Sequence, residues 1–393
     1  MRMKGKPMDS IGIAVIGYGG MGRKNVRDIT TCDPRLKVLA VHDPDERSRA
    51  KAREDFPEAV IVADDFHEVL QVSGVQWVVI ASWNSAHSEQ TVAAFEAGLH
   101  VFCQKPLALN TDECLRMLRA WKRSGCYFNI GFTLRYSPHY RRIRELVAGG
   151  RIGQIVSMEF NETLDFNHGG YIMGDWRRLR RHAGTHLLEK CCHDIDLANW
   201  IIASRAARVA SFGGLNFFKP ENAGHRERLG SDAKGKQGYG SWGGLIDLDP
   251  FTADKDIVDN QVAIIEYANA VRATFHTNCN AGIPERRMYI LGTEGAIRAD
   301  VLTGSIQLKR IGFGTALEDV STTSSGGHGG GDEILGREVA DTMLDGRPPS
   351  AGLIEGLNAA VTCFGIDAAM DSGQVVDMAP LWERVDAALA GAE

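Results

Sequence analysis

Proline is sparse, 12 residues in 393, and glycine shows no three-residue period, which excludes a collagen-like fibre. Long apolar runs are missing. The longest, such as Val75 to Ala81 with Gln76 inside, have the length of strands. The expectation is that no segment approaches the 18 or so residues of a membrane helix. Arg2, Lys4 and Lys6 are not followed by an apolar stretch ending at small residues, so no secretory signal is expected. Positive charge is not in excess. Lys and Arg total 44 against 50 Asp and Glu, a net charge of −6, which leaves no electrostatic footprint for nucleic acid. Cysteine is thinly spread: Cys32, Cys103, Cys114, Cys126, Cys191, Cys192, Cys279 and Cys363. In a long chain that pattern favours free thiols in a reducing cytoplasm over a disulfide framework. No internal repeat is visible.

Apolar residues make up 44% and charged residues 24%, a globular balance. At this length two domains are the default. Glycine is the surplus: 44 residues, against roughly 28 at average usage.

Ahead of Gly131, apolar runs alternate with helical patterns. Ile11–Ile16, Lys37–Val41, Val75–Ala81, Leu99–Cys103 and Tyr127–Gly131 read as strands buried on both faces. Gly20–Thr31, Asp45–Asp55, Ser85–Ala97 and Thr111–Ser124 read as helices between them. The alternation predicts a doubly wound parallel sheet, an α/β domain over 1–137. After Pro138 strands follow one another with few helices, at Gln154–Thr163, Ala207–Phe212, Gln261–Tyr267, Val271–Thr277, Arg286–Leu291, Ala296–Ala299 and Ser305–Lys309. That order predicts an α+β domain over 138–393 with a mostly antiparallel sheet. One long helix, Thr185 to Ile202, interrupts it. Helices near Asp332–Leu344, Leu353–Asp371 and Pro380–Ala390 close the chain, and they could pack back on the first domain. Two glycine-rich stretches, Gly213–Gly244 and Thr322–Asp332, read as functional loops or mobile linkers.

The first strand runs into Gly17-Tyr18-Gly19-Gly20-Met21-Gly22, a G-x-G-x-x-G match between strand and helix. Gly17 would make the tight turn, Gly19 would let backbone approach a pyrophosphate, and Gly22 would let the helix pack on the strand. The helix N-terminus then offers free N–H groups and a positive dipole end to phosphate. Asp43 closes the second strand about 20 residues on, where a carboxylate accepts the adenosine ribose hydroxyls. A 2′-phosphate would be repelled there, so NAD is favoured over NADP, although Arg47 and Arg49 follow closely.

Lys105 ends the fifth strand in Gln104-Lys105-Pro106. The carboxyl ends of such strands face the ligand crevice, so its ammonium could donate to a substrate oxygen. Further on, Glu189 and His193 stand four residues apart in the predicted long helix. That spacing predicts a carboxylate–imidazole pair suited to acid–base work on an alcohol. The neighbouring Cys191-Cys192-His193-Asp194 run, with His182 and His186, lacks C-x-x-C spacing, and no metal is expected.

Taken together these residues resemble the glucose–fructose oxidoreductase and inositol dehydrogenase family, Gfo/Idh/MocA. The likeness spans nearly the whole chain. It adds Ser82-Trp83-Asn84-Ser85-Ala86-His87, similar to the family's T-P-N-x-x-H segment, and Gln104-Lys105-Pro106, similar to E-K-P. It continues through Gly131 to Pro138 with Arg135, Asp175-Trp176-Arg177, a D-x-x-x-H-like helix, and Gly327 to Asp332. The resemblance implies an NAD(P)-dependent oxidoreductase of sugars or cyclitols. It implies a Rossmann domain joined to a domain whose large open sheet forms dimers or tetramers. It places Lys105 and His193 at the hydroxyl oxidised, Asn84, His87 and the Gln104 backbone along the cofactor, Trp176 and Arg177 on its nicotinamide side, and Arg135 near the cleft. His328 becomes a candidate substrate contact. Two departures stand out. Gln104 replaces Glu, which leaves the protonation of Lys105 open, and Glu189 replaces Asp.

Two other functions stay open on the same fold. One is an NAD-dependent glycoside-cleaving enzyme that oxidises a ring hydroxyl transiently. The other is a nucleotide-sensing regulator without catalysis.

Overall fold

The computed structural model describes residues 10–240, 246–323 and 327–391. The chain forms two compact units. The first holds Met1–Tyr136, Gly330–Leu357 and Val385–Glu393, and the second holds Ser137–Gly329 and Asn358–Arg384.

The first unit is built on six strands: β1 (Ile11–Ile16), β2 (Leu36–His42), β3 (Val60–Val62), β4 (Val75–Ile80), β5 (His100–Cys103) and β6 (Phe128–Ile130). All pairs are parallel, in the order β3-β2-β1-β4-β5-β6. Every residue of β1 is buried, as its unbroken apolar run requires. Strand order reverses between β1 and β4, so ligands belong outside their carboxyl ends. Gly17 and Ser82 follow those ends. The sequence pattern gave five of these strands. It missed β3, three residues long and partly exposed at the sheet edge. Helix Gly331–Asp345 belongs to this unit. Its Glu338 accepts from Tyr136 Oη at 2.7 Å, and its Asp332 pairs with Lys24 at 3.3 Å.

The second unit carries nine strands: β7 (Ile155–Asp165), β8 (Ala206–Gly214), β9 (Asn260–Tyr267), β10 (Arg272–Ala281), β11 (Arg287–Gly292), β12 (Gly295–Asp300), β13 (Ser305–Arg310), β14 (Leu317–Asp319) and β15 (Val376–Asp377). Their order is β14-β13-β12-β11-β7-β10-β9-β8-β15. Only β7 and β10 pair parallel, so the sheet is mixed and largely antiparallel. Residues alternate across it. In β9, Gln261, Ala263, Ile265 and Tyr267 are buried, while Val262 and Ile264 point outward.

Three expectations need correction. The helix foreseen over Thr185–Ile202 is not uniform. Leu187–Cys191 is a π-helical turn, and the α-helix proper is Cys192–Ile202. A helix over Phe166–Gly174 was not foreseen. Helix Leu353–Ser372 is also long and apolar enough by composition to cross a membrane. Its polar residues, such as Asn358 and Asp367, broke the apolar run that was sought. Its most apolar window is 67% buried within the protein, as in a core helix.

The glycine-rich stretches are ordered where described. Phe218 and Tyr239 of residues 213–240 join Phe251 in a small aromatic core against Ile172 and Met173 of helix Phe166–Gly174. Gly243 and Gly244 of the first stretch, and Ser324 to Gly326 of the second, lie outside the described residues.

Candidate active site

The loop after β1 matches the geometry that a dinucleotide requires. Gly17 has φ +89, and a Cβ there would stand 2.6 Å from the Ala81–Ser82 backbone. A Cβ on Gly22 would collide with the Gly17 carbonyl, so the helix Gly20–Thr30 can seat itself only on glycine. Nothing lies within 4 Å of a Cβ on Gly19 or Gly20, which leaves open space beside bare backbone. Asp43 is buried. Its carboxylate accepts from the Tyr18 N–H at 2.7 Å and the Asp45 N–H at 2.8 Å. The acid is thereby fixed beside the glycine loop. These residues fit a dinucleotide: bare amides for phosphate and an oriented carboxylate for ribose. The Tyr18 side chain turns away, with its hydroxyl on Asp55 at 2.9 Å, and Met21 is exposed. Arg49 spans Glu46 at 2.6 Å and the Asp43 carbonyl at 2.8 Å, and Arg47 pairs with Asp45 at 3.3 Å.

The loops after β4 and β5 are fastened together by His87. It is fully buried, with Nδ1 2.8 Å from the Pro106 carbonyl oxygen and Nε2 3.3 Å from that of Ser82. Burial outweighs both contacts and holds its pKa at about 4. His87, expected along the cofactor, thus ties the loop after β4 to the loop after β5. Ser82 Oγ donates to Gln90, and Asn84 is buried at the start of a short 3-10 turn. Gln104 accounts for its departure from Glu. Its Nε2 donates to Asn25 Oδ1 at 2.7 Å, and its Oε1 accepts from the Lys105 N–H at 3.3 Å. Gly131 leaves room for this carboxamide, because a Cβ there would stand 2.8 Å from Oε1. Arg135 is buried in the same unit and donates to the Ser350 carbonyl at 3.5 Å.

In the second unit His193 is buried in the first turn of helix Cys192–Ile202. Glu189 lies in the π turn, four residues before His193, and its carboxylate accepts from Arg177 Nε at 3.1 Å. Arg177 also donates to Asp175 at 2.8 Å and Tyr171 Oη at 2.6 Å, and its guanidinium lies 4.4 Å from the Trp176 ring centre. Trp176, Arg177 and Glu189 thus form one assembly. His328 comes to His193, with ring centres 5.7 Å apart and planes tilted by 46°.

Sequence reasoning missed a buried charge network beneath His193. Arg286 grips Asp194 with two hydrogen bonds, at 2.8 and 2.7 Å, and Glu162 at 2.9 Å. Lys190 adds a second cation to Glu162 at 3.1 Å. Burial opposes ionisation of Glu162, but Arg286 and Lys190 outweigh it and hold its pKa at about 2. Burial, partly offset by Arg286, raises Asp194 to about 7. Arg286 lies 92 positions from Asp194, so no local spacing could have announced the pair. Among the described residues, Glu162, Cys191 and Asp194 bring possible metal-ligand atoms within 4.8 Å of one another. The two cations already supply the charge that a metal would bring. His186 sits deeper, 3.6 Å from Cys279 Sγ and 3.2 Å from Thr277 Oγ1. Burial holds it at about 4 and pushes the Cys191 and Cys279 thiols well up. None of the eight cysteines is paired in a disulfide.

Fold and loop together define a dinucleotide-binding α/β protein with an appended mixed-sheet domain. Residues 11–132 match the oxidoreductase family with an NAD-binding Rossmann fold, and residues 140–298 match the GFO/IDH/MocA C-terminal domain. The chain belongs to the Gfo/Idh/MocA oxidoreductase family. It is 24% identical over 375 residues to inositol 2-dehydrogenase 3 of Saccharopolyspora erythraea, covering 94% of this chain and 96% of that one. It is 25% identical over 294 residues to the 2,7-anhydro-N-acetylneuraminate hydratase of Mediterraneibacter gnavus, covering 75% of this chain and 68% of that one. Levoglucosan dehydrogenase, solved with NADH and levoglucosan, shares the fold at 19% identity and a TM-score of 0.77, covering 94% of this chain and 99% of that one.

Proposed function

We propose that the protein is an NAD-dependent dehydrogenase of a sugar, anhydrosugar or cyclitol hydroxyl. The observation that carries this reading is Asp43, whose carboxylate is fixed by the Tyr18 N–H beside an open glycine loop. A ribose diol satisfies that acid, whereas a 2′-phosphate would be repelled by it. Arg49 is already engaged by Glu46 and a carbonyl, which supports NAD over NADP.

When bound, the nicotinamide supplies the hydride acceptor. Gly17, Gly19, Gly20 and Gly22 would hold its dinucleotide with Asp43, and Ser82, Asn84 and the Gln104 backbone would flank it. His193 takes the hydroxyl proton on a ring nitrogen, and Lys105 donates a hydrogen bond to the reacting oxygen. Glu189 acts through Arg177, which it orients beside Trp176. Self-association through the outer face of the open sheet fits its apolar residues, and the free thiols fit a reducing cytoplasm.

The test is NAD reduction against inositols, hexoses, anhydrosugars and sugar acids. Loss of acid–base catalysis costs about 10²–10⁴-fold, so Lys105→Ala with His193→Ala should abolish turnover while NAD still binds. Wild-type rates in that double variant would sink the reading. The hydratase relative favours one second reading, transient oxidation followed by elimination. Substrate conversion without net NADH would mark it.

A further inference from the structure

We propose that His328 is a specificity-determining residue that binds the hydroxyl next to the one His193 deprotonates, so that the preferred substrates are vicinal diols. The inference rests on the dehydrogenase reading above.

The backbone at His328 is unusual. It has φ 51 and ψ 39, left-handed values in which a Cβ crowds the following carbonyl oxygen. Gly329 and Gly330 continue in the same region at φ 60 and φ 80. Glycine is the inexpensive residue for such a stretch, and glycine fills the positions on both sides. The one side chain in it is an imidazole, and its ring meets the ring of His193.

The segment is fastened in place. Ser137 Oγ donates to the Gly329 carbonyl at 2.8 Å. A Cβ on Gly329 would stand 2.8 Å from both Ser137 Oγ and Val301 Cγ2, so that residue seats tightly against its neighbours. His328 is therefore presented from a fixed backbone, which is what a selective polar contact requires.

Hydrogen-bond capacity separates the two oxygens that His328 could serve. A hydroxyl has one proton to give and two lone pairs. On the reading above, the reacting hydroxyl gives its proton to His193 and accepts from Lys105, so its valences are nearly filled. Adjacent ring hydroxyl oxygens lie about 3 Å apart, and an imidazole nitrogen reaches an oxygen at about 2.8 Å. Ring centres 5.7 Å apart therefore suit one imidazole on each of two neighbouring oxygens.

The experiment takes the first polyol in the panel that wild type oxidises. It compares that polyol with its monodeoxy analogue at the adjacent carbon. A site built to bind a hydroxyl rejects the analogue lacking it by orders of magnitude, so wild type should favour the parent by at least about 100-fold in kcat/KM. His328→Gly suits the left-handed backbone and should keep its melting temperature and NAD binding. Its preference should fall below about tenfold. His328→Asn keeps an amide that tolerates this backbone and should restore part of the preference. An unchanged ratio in His328→Gly, with both substrates slowed equally, would overturn this inference and leave the dehydrogenase reading standing. So would a wild type that treats the two substrates alike. A wild type that oxidises no polyol overturns both.

Discussion

His87 fastens two loops at once. Its ring bridges the Ser82 and Pro106 carbonyls, the second of them directly after Lys105 in sequence. Burial holds its pKa at about 4, below the 6.5 of an unfolded histidine. Its contribution to stability is full above pH 6.5 and is lost as pH falls towards 4, because the unfolded chain binds the proton first. The shift corresponds to about 3 kcal/mol at most. In urea unfolding, the stability gap between wild type and His87→Gln should therefore narrow by that order between pH 7 and pH 4. A constant gap would show that the ring is not held neutral. Much at this scale was legible: Gly17, Gly19, Gly22 and Asp43 stand in the geometry that their spacing implies. The Gln104–Asn25 contact was not, because its partners lie 79 positions apart. The Arg177–Glu189 ion pair was not legible either, because its partners lie 12 positions apart.

Helices and strands followed from periodicity wherever tertiary contacts did not override it. Helix Phe166–Gly174, which was not foreseen, carries three glycines, poor helix formers. They are there because the backbones of Cys279, Tyr239 and Leu248 approach too closely for a Cβ at Gly169, Gly170 and Gly174. The π turn at Leu187–Cys191 has no sequence period to reveal it, and its neighbours come from far along the chain, Glu162 from β7 and Arg286 from just ahead of β11. The glycine loop gives a contrast at the scale of one helix. Gly22→Ala drives helix Gly20–Thr30 off the Gly17 carbonyl and should lower both melting temperature and NAD affinity. Gly19→Ala meets open space, so it should leave melting unchanged and weaken NAD binding by tenfold or more. Calorimetric titration and thermal melts of the two variants separate packing from ligand contact. Unchanged NAD affinity in Gly19→Ala would remove the pyrophosphate from that position.

The open sheet leaves Phe212 70% exposed, Ile264 61% and Val262 47%, with Phe212 paired to Val262 across β8 and β9. An exposed apolar patch of this kind is the surface on which the proposed self-association is to be tested. Wild type should scatter light as a dimer or tetramer, and Phe212→Glu with Ile264→Glu should reduce that mass while NAD binding persists. An unchanged mass would place the contact elsewhere. The sequence showed two folding patterns in order along the chain and left open that the closing helices pack back on the first, and the nucleotide-binding unit does take in such later segments. Helix Gly331–Asp345 belongs to it through Glu338 on Tyr136 and Asp332 on Lys24. A ribosome that has finished Tyr136 has not yet translated that helix. The nascent Rossmann sheet must therefore wait without that helix while some 200 further residues are synthesised at about 5–20 per second. During that interval of many seconds the contacts that Glu338 and Asp332 make with Tyr136 and Lys24 cannot yet form.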